Sequence, residues 1–390
     1  MNKIILCRIF VVSIIFFMSL STLPVQNVEA QEEYEWISKT PMNVNRYNFR
    51  LAVANDKIFA IGGTSSNGTT TLATNEMYDL QTDTWISKAP IPTARSRFAI
   101  ITCQNKIYAI TGISTLANEV YDPTTDTWET KAPLNSQWPR HWINAHTINN
   151  KIYVISGLTT ELEFWPPNSP EVNIYDPLDD TWSKGKQIPF PVHRYASEVV
   201  DNKIYVFGGL DYLRPDKEEN GSVYDLVQIY DPSNDMWSFG APMPVSAYNC
   251  HAGATSGLVI PKRIFVLGGL HKDNRINLNQ IYDPKTDTWS NGTSLPITFV
   301  PSGISRVDDE LAAFSLYPSG VVVVDDMLYA ISGIENLLYK PLESEIPTPS
   351  PTPFSPETEP FPSTIVVASI VTIAIIGIGA FTYFKKNKRN

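Results

Sequence analysis

The stretch "YDPTTDTWETKAPL" runs from Tyr121 to Leu134, and "YDPKTDTWSNGTSLP" runs from Tyr282 to Pro296. Two near-identical phrases so far apart in one chain imply a copied structural unit. The Asp-Pro-x-x-Asp core is turn chemistry: aspartate caps its own backbone, proline fixes φ, and the chain re-enters a strand through Thr-Trp. Variants of the phrase carry Tyr78-Asp79 before Trp85, Tyr175-Asp176 before Trp182, and Tyr230-Asp231 before Trp237.

A second phrase precedes these and occurs six times: "DKIFAIGG" at Asp56, "NKIYAITG" at Asn105, "NKIYVISG" at Asn150, "NKIYVFGG" at Asn202, "PKRIFVLGG" at Pro261 and "DDMLYAISG" at Asp325. Successive copies are about 45 to 64 residues apart, in the range of propeller blades. Each opens on a turn former, continues through β-branched and aromatic residues, and stops at glycine. Each unit therefore reads as four short antiparallel strands. One such sheet cannot bury both apolar faces, but six packed radially can, with tryptophan and tyrosine filling the wedges.

The glycines, the Tyr-Asp pair and the tryptophan at these offsets resemble the Kelch repeat, a family of β-propellers, over about Tyr34 to Leu342. The resemblance implies an all-β, six-bladed Kelch β-propeller. The second, third and sixth copies keep one glycine each (Gly112, Gly157, Gly333), and the sixth has no tryptophan downstream. The orphan segment "YEWISKTPM", Tyr34 to Met42, carries Trp36. It is expected to be the outer strand of the last blade and to close the ring, as N-terminal strands often do in Kelch propellers.

The flanks read differently. Residues 1–30 hold Lys3, Arg8, an apolar run and "VEA", the pattern of a secretory signal. Residues 31–342 are the propeller, and residues 343–363 a Pro/Thr/Ser/Glu-rich stalk that favours extended polyproline II. Residues 364–384 form an expected transmembrane helix, since Ile365 to Phe384 is uncharged and at about 1.5 Å per residue matches a hydrocarbon core of about 30 Å. Lys385, Lys386, Lys388 and Arg389 follow within residues 385–390, which places the C-terminus in the cytoplasm and the propeller outside. The layout resembles single-pass surface proteins of archaea.

Without the leader and tail the chain has 24 basic and 39 acidic residues, a net of about −15 that argues against nucleic acid as a partner. Of three cysteines, Cys7 lies in the leader. Cys103 and Cys250 fall on opposite blades, too far apart for a disulfide, and are expected to be free thiols. The five histidines have no metal spacing, the Asp-x-x-Thr-Asp turns lack the glycine and glutamate of a calcium loop, and nothing in the chain asks for a cofactor. Kelch-like copper oxidases use tyrosine, histidine and a tyrosine-linked cysteine. Tyr248, Cys250 and His251 are neighbours of those types, without an evident second pair of ligands.

Loops between blades, and those between second and third strands, emerge on one face. The proline-led approaches to the inner strands place Arg95, Arg140 and Arg194 there, with Arg46 in a similar position, beside Tyr47, Trp142, Tyr195 and Tyr248. Blade five has Ala247 instead. In Kelch proteins such arginines either brace the blade or grip acidic ligands. The longest loops share this face, and one exposes Phe164 and Trp165. Asn67, Asn220 and Asn291 head glycosylation sequons. These features point to a recognition module whose partner is a protein or an acidic glycan met at the loop face, with the membrane met through one helix. Two other readings stand beside it: a carbohydrate-active enzyme such as the sialic-acid mutarotases among Kelch proteins, with Glu198 as the candidate acid or base, and a surface spacer.

Overall fold

The computed structural model describes residues 34–159, 168–211, 222–258, 260–272, 274–296, 320–332 and 335–341, and their regular structure is all β. The expected signal, stalk, span and tail lie outside the described residues, as do Phe164, Trp165, Asn220 and Gly333. Among the described residues no helix is long and apolar enough to cross a membrane.

Six four-stranded antiparallel sheets form six blades. Their innermost strands are β3 (Arg50–Ala54), β8 (Ala99–Cys103), β13 (Asn144–Ile148), β18 (Ala196–Val200), β24 (His251–Ala254) and β30 (Gly320–Val324), which define blades one to six. Each inner strand touches the next and β30 touches β3, so the ring closes around an axis. The glycine-stopped phrase is the second strand of each blade, such as β4 (Lys57–Ile61), where Ile58, Phe59, Ala60 and Ile61 are all buried because both faces meet neighbouring blades. The two residues before it, Asn55-Asp56 in blade one and Asn149-Asn150 in blade three, are left-handed, which asparagine and aspartate tolerate.

The Tyr-Asp phrase does more than turn the chain. Tyr121 Oη donates to Asp126 Oδ1 at 2.5 Å, and the same oxygen accepts Ala89 N–H of the preceding blade at 2.9 Å. Trp128 Nε1–H, one strand further out, donates back to Ala89 O at 2.9 Å. The same three bonds join Tyr78, Asp83 and Trp85 to Thr40, and Tyr282, Asp287 and Trp289 to Ala241. Each copy is therefore a stitch across a blade seam. The bond from Tyr121 comes first among the causes that hold the Asp126 carboxyl below its ordinary range.

In blades two and three, where the first glycine of the pair is missing, a hydroxyl residue has taken its backbone geometry. Thr111 and Ser156 keep φ of 56° and 53°, and their hydroxyls donate to Arg140 O at 3.1 Å and Val192 O at 2.7 Å in the next blade. These bonds stabilise a conformation that costs a side-chain-bearing residue about 1 kcal/mol or more.

Blade six consists of β30, β31 (Met327–Ile331), β32 (Asn336–Pro341) and, outermost, β1 (Tyr34–Lys39). β1 and β32 are antiparallel, with Tyr34 opposite Pro341 and Lys39 opposite Asn336. Trp36 lies against Tyr339 with ring centroids 4.7 Å apart and donates to Thr293 O at 3.2 Å, while the Thr293 hydroxyl donates to Tyr34 O. Tyr34 and Pro341 thus sit together at the face that carries the Tyr-Asp turns, opposite the loop face. Cys103 and Cys250 are both free and buried.

Candidate functional site

Three of the expected loop-face arginines lie inside the blades. Arg46, Arg95 and Arg140 each stand four residues before an inner strand and are fully buried. Arg46 pairs with Glu76 and donates to Gly62 O and Ala60 O at 2.9 and 2.8 Å. Arg95 pairs with Glu119 at 2.5 Å and reaches four carbonyls, and Arg140 reaches Asn173 Oδ1 and Ser156 O. All of these bonds go to the protein, so the three side chains brace the corner where chain enters each blade, with Arg140 Nε left without an acceptor. Burial lowers the pKa of all three, to about 10 at Arg140, which meets an amide instead of a carboxylate.

Arg194 is not their equivalent. It stands two residues before β18, as Arg97, Trp142, Asn48 and Asn249 stand before their own inner strands, and all five have left-handed φ between 54° and 57°. Their backbones form a collar around the axis: Arg97 N–H donates to Asn48 O, Trp142 N–H to Arg97 O, Arg194 N–H to Trp142 O, and Asn249 N–H to Arg194 O, at 2.7–3.2 Å. The corresponding position of blade six lies outside the described residues. Within the collar, Trp142 is held between two guanidiniums, Arg97 at 4.4 Å and Arg194 at 4.6 Å from its ring. The Nδ2 groups of Asn48 and Asn249 are buried with no acceptor. Burial, with Arg97 and Arg194 adding to it, pushes His141 down to about 3, so that imidazole is neutral.

The other expected aromatics support this rim. Tyr47 packs on Trp142, Tyr195 Oη donates to Ile155 O at 2.5 Å, and Tyr248 packs between Leu210 and Leu270. Asn67 is exposed, its Oδ1 accepting from Thr69 N–H and Oγ1–H, and Asn291 ends the outer strand β29 (Thr288–Asn291) of blade five.

Below the collar the inner strands line a cavity of about 330 Å³ along the axis. Arg50 and His251 begin β3 and β24, and Asn144 begins β13. One step deeper, Ser197 Oγ accepts from Asn144 Nδ2 at 3.0 Å and lies 2.8 Å from His146 Nε2. Glu198 follows, its carboxyl accepting only the Val199 N–H at 2.8 Å, and burial raises its pKa to about 7. His146 and His251 are lowered to about 4 and about 3, chiefly by burial. Among the described residues no cluster of three or more His, Cys, Asp and Glu side chains is placed to hold a metal ion.

Sequence reading found Glu198, Trp142 and Arg194 but passed over Arg50, Arg97, Asn48, Asn249 and the Ser197–His146 pair. The usable signal was register: counting back from each inner strand separates buried braces from collar residues, whereas counting from the variable prolines merges them.

Six blades, one copied seam stitch and a loop-lined axis define a Kelch-repeat β-propeller. The Attractin/LZTR1 beta-propeller model matches residues 20–272 and the Kelch motif model residues 253–296. The chain belongs to the Attractin/LZTR1 beta-propeller family, built on Kelch repeats. It is similar to human Kelch repeat and BTB domain-containing protein 12, 31% identical over 37% of this chain and 24% of that protein. It is also similar to bovine Kelch-like protein 36, 28% identical over 67% of this chain and 34% of that protein. The chain therefore spans about a quarter to a third of such relatives. The solved structure of YjhT superposes with a TM-score of 0.56 at 15% identity, covering 77% of this chain and 95% of that one, a likeness of fold.

Proposed function

We propose that this propeller is an extracytoplasmic recognition module, tethered by one C-terminal helix, that binds an acidic protein segment or acidic glycan at its loop-face mouth. The collar carries the reading. Two guanidiniums flank an indole there, with two amide donors that lack acceptors and Arg50 just beneath, a set rich in donors and positive charge on a chain that is acidic as a whole. Carboxylates match such a set through charge-assisted, bidentate and stacking contacts. The membrane tether rests on residues 364–390, the outward orientation on the signal pattern of residues 1–30, and ring closure by β1 on its ladder with β32.

The test is a binding screen against acidic peptides and sialylated glycans with collar variants. Arg97→Ala and Arg194→Ala are expected to weaken binding about 10-fold or more, worth about 1.4 kcal/mol or more, with melting unchanged within about 2 °C. If the parent protein binds no acidic partner, or the collar variants bind as well as the parent, the module reading fails and the spacer reading replaces it. A second reading, catalysis on a carbohydrate, draws on Glu198, a carboxyl held near neutrality in the axial cavity. Following sialic-acid anomer exchange by NMR separates it, since exchange lost in Glu198→Gln replaces binding with catalysis.

A further inference from the structure

The axial cavity contains two charges of opposite sign that do not meet. Arg50 of blade one uses its Nε–H on Phe98 O at 2.8 Å and has no ion pair among the described residues. Glu198 comes from blade four, across the axis, and its carboxyl has no cation beside it among the described residues. Both line the same volume of about 330 Å³, at the small end of ligand pockets. Both side chains are half-buried, and a charge partly withdrawn from water gains from a counterpart, which neither of these two supplies to the other. Elsewhere in this molecule two fully buried guanidiniums are paired with carboxylates, Arg46 with Glu76 and Arg95 with Glu119, while Arg140 meets the Asn173 amide and Ser156 O.

The walls are also divided. Blades six, one and two contribute Val321, Val323, Val53 and Ile101, beside Arg50 and a Thr102 whose hydroxyl is spent on Val53 O, while blades three and four contribute Asn144, His146, Ser197 and Glu198. Asn144 and His146 both bond the Ser197 hydroxyl and fix the polar wall in shape. A ligand suited to this space has an anion for Arg50, a cation for Glu198 and a branched hydrocarbon for the valine and isoleucine wall.

We propose that the axial cavity binds an aliphatic α-amino acid as its zwitterion, carboxylate toward Arg50, ammonium toward Glu198 and side chain against blades six, one and two. One small molecule then gives both half-buried charges a counterpart, which a simple carboxylate or a simple amine cannot do. The site lies below the collar and shares Arg50 with the donor set of the proposed mouth, so a collar variant that leaves Arg50 in place keeps the two readings apart.

The test measures Kd for the full chain by calorimetry with three matched probes: L-valine, 3-methylbutanoate, which lacks the amine, and isobutylamine, which lacks the carboxylate. The Kd for L-valine is expected to be at least 10-fold below either fragment. Glu198→Gln should raise the L-valine Kd to that of 3-methylbutanoate, and Arg50→Gln should raise it to that of isobutylamine. The proposal is overturned if 3-methylbutanoate or N-acetylneuraminate binds as well as L-valine, if none of the probes binds at 10 mM, or if Glu198→Gln leaves the L-valine Kd unchanged. The probe series on the parent protein decides the matter even if a variant does not fold, and Arg97→Ala, which tests the collar, should leave the L-valine Kd as it was.

Discussion

Arg95 in blade two and Val192 in blade four occupy the same position, four residues before an inner strand, and their neighbours change with them. Glu119 pairs with Arg95, whereas Gln228, at the same place in its own strand, bonds the Phe190 backbone at both ends of its amide, 3.0 and 2.9 Å. Blade five repeats the neutral version with Ala247 and Gln280. At this position a glutamate stands opposite the guanidinium in blades one and two, and a glutamine stands there in blades four and five, where the guanidinium is absent. Arg95→Val alone should therefore cost about 3–5 kcal/mol, because Glu119 is left charged and buried. Adding Glu119→Gln imports the blade-four pair and should recover most of that loss, as urea melts of the double-mutant cycle would register; a double variant no more stable than the single one refutes the exchange. Glu198 gives a second residue-scale expectation. Its folded pKa of about 7 lies above the ordinary 4.5, so its contribution is complete below pH 4.5 and is lost as pH rises through 7. His146, with His251 across the same cavity, is shifted down, and these contributions are lost as pH falls below about 6.5. Between pH 5 and 8.5, Glu198→Gln should gain on the parent by on the order of 2 kcal/mol, and equal pH slopes for the two proteins would contradict this. The stitch residues were legible because Tyr, Asp and Trp recur at fixed offsets. Arg194 was grouped with Arg95 because proline sets the eye's frame, while the fold counts from the strand.

At the scale of elements, β1 is the strand with most depending on it. Without it β32 would be an open edge, Tyr339 would lose its contacts with Tyr34 and Trp36, and Trp85 and Asp83 of blade one would lose Thr40, their partner just past β1. Deleting residues 34–42 is expected to lower the melting temperature by on the order of 10 °C, at about 2–4 °C per kcal/mol for a domain this large. Unchanged melting would show that the ring holds without its outer strand. Strand order was readable because each blade repeats its turn chemistry and because an unpartnered tryptophan at one end matches a missing one at the other. The collar was not readable in the same way. Its left-handed residues are Asn, Arg and Trp, with no shared chemistry, and what they share is a backbone position that only the closed ring reveals.

For the whole molecule, the proposed tether would act on the ring where the described strands end. Tyr34 and Pro341 lie side by side at the turn face, so whatever precedes one or follows the other departs from one corner, and the collar is at the far end of the axis. β32 is not the rim of its sheet. It is hydrogen-bonded to β31 on one side and β1 on the other, antiparallel to both. Tension applied through Pro341 therefore loads two ladders in shear along their length, where a rim strand would peel away one bond at a time. A propeller hung by this strand would resist a pull that unravels one hung by its edge.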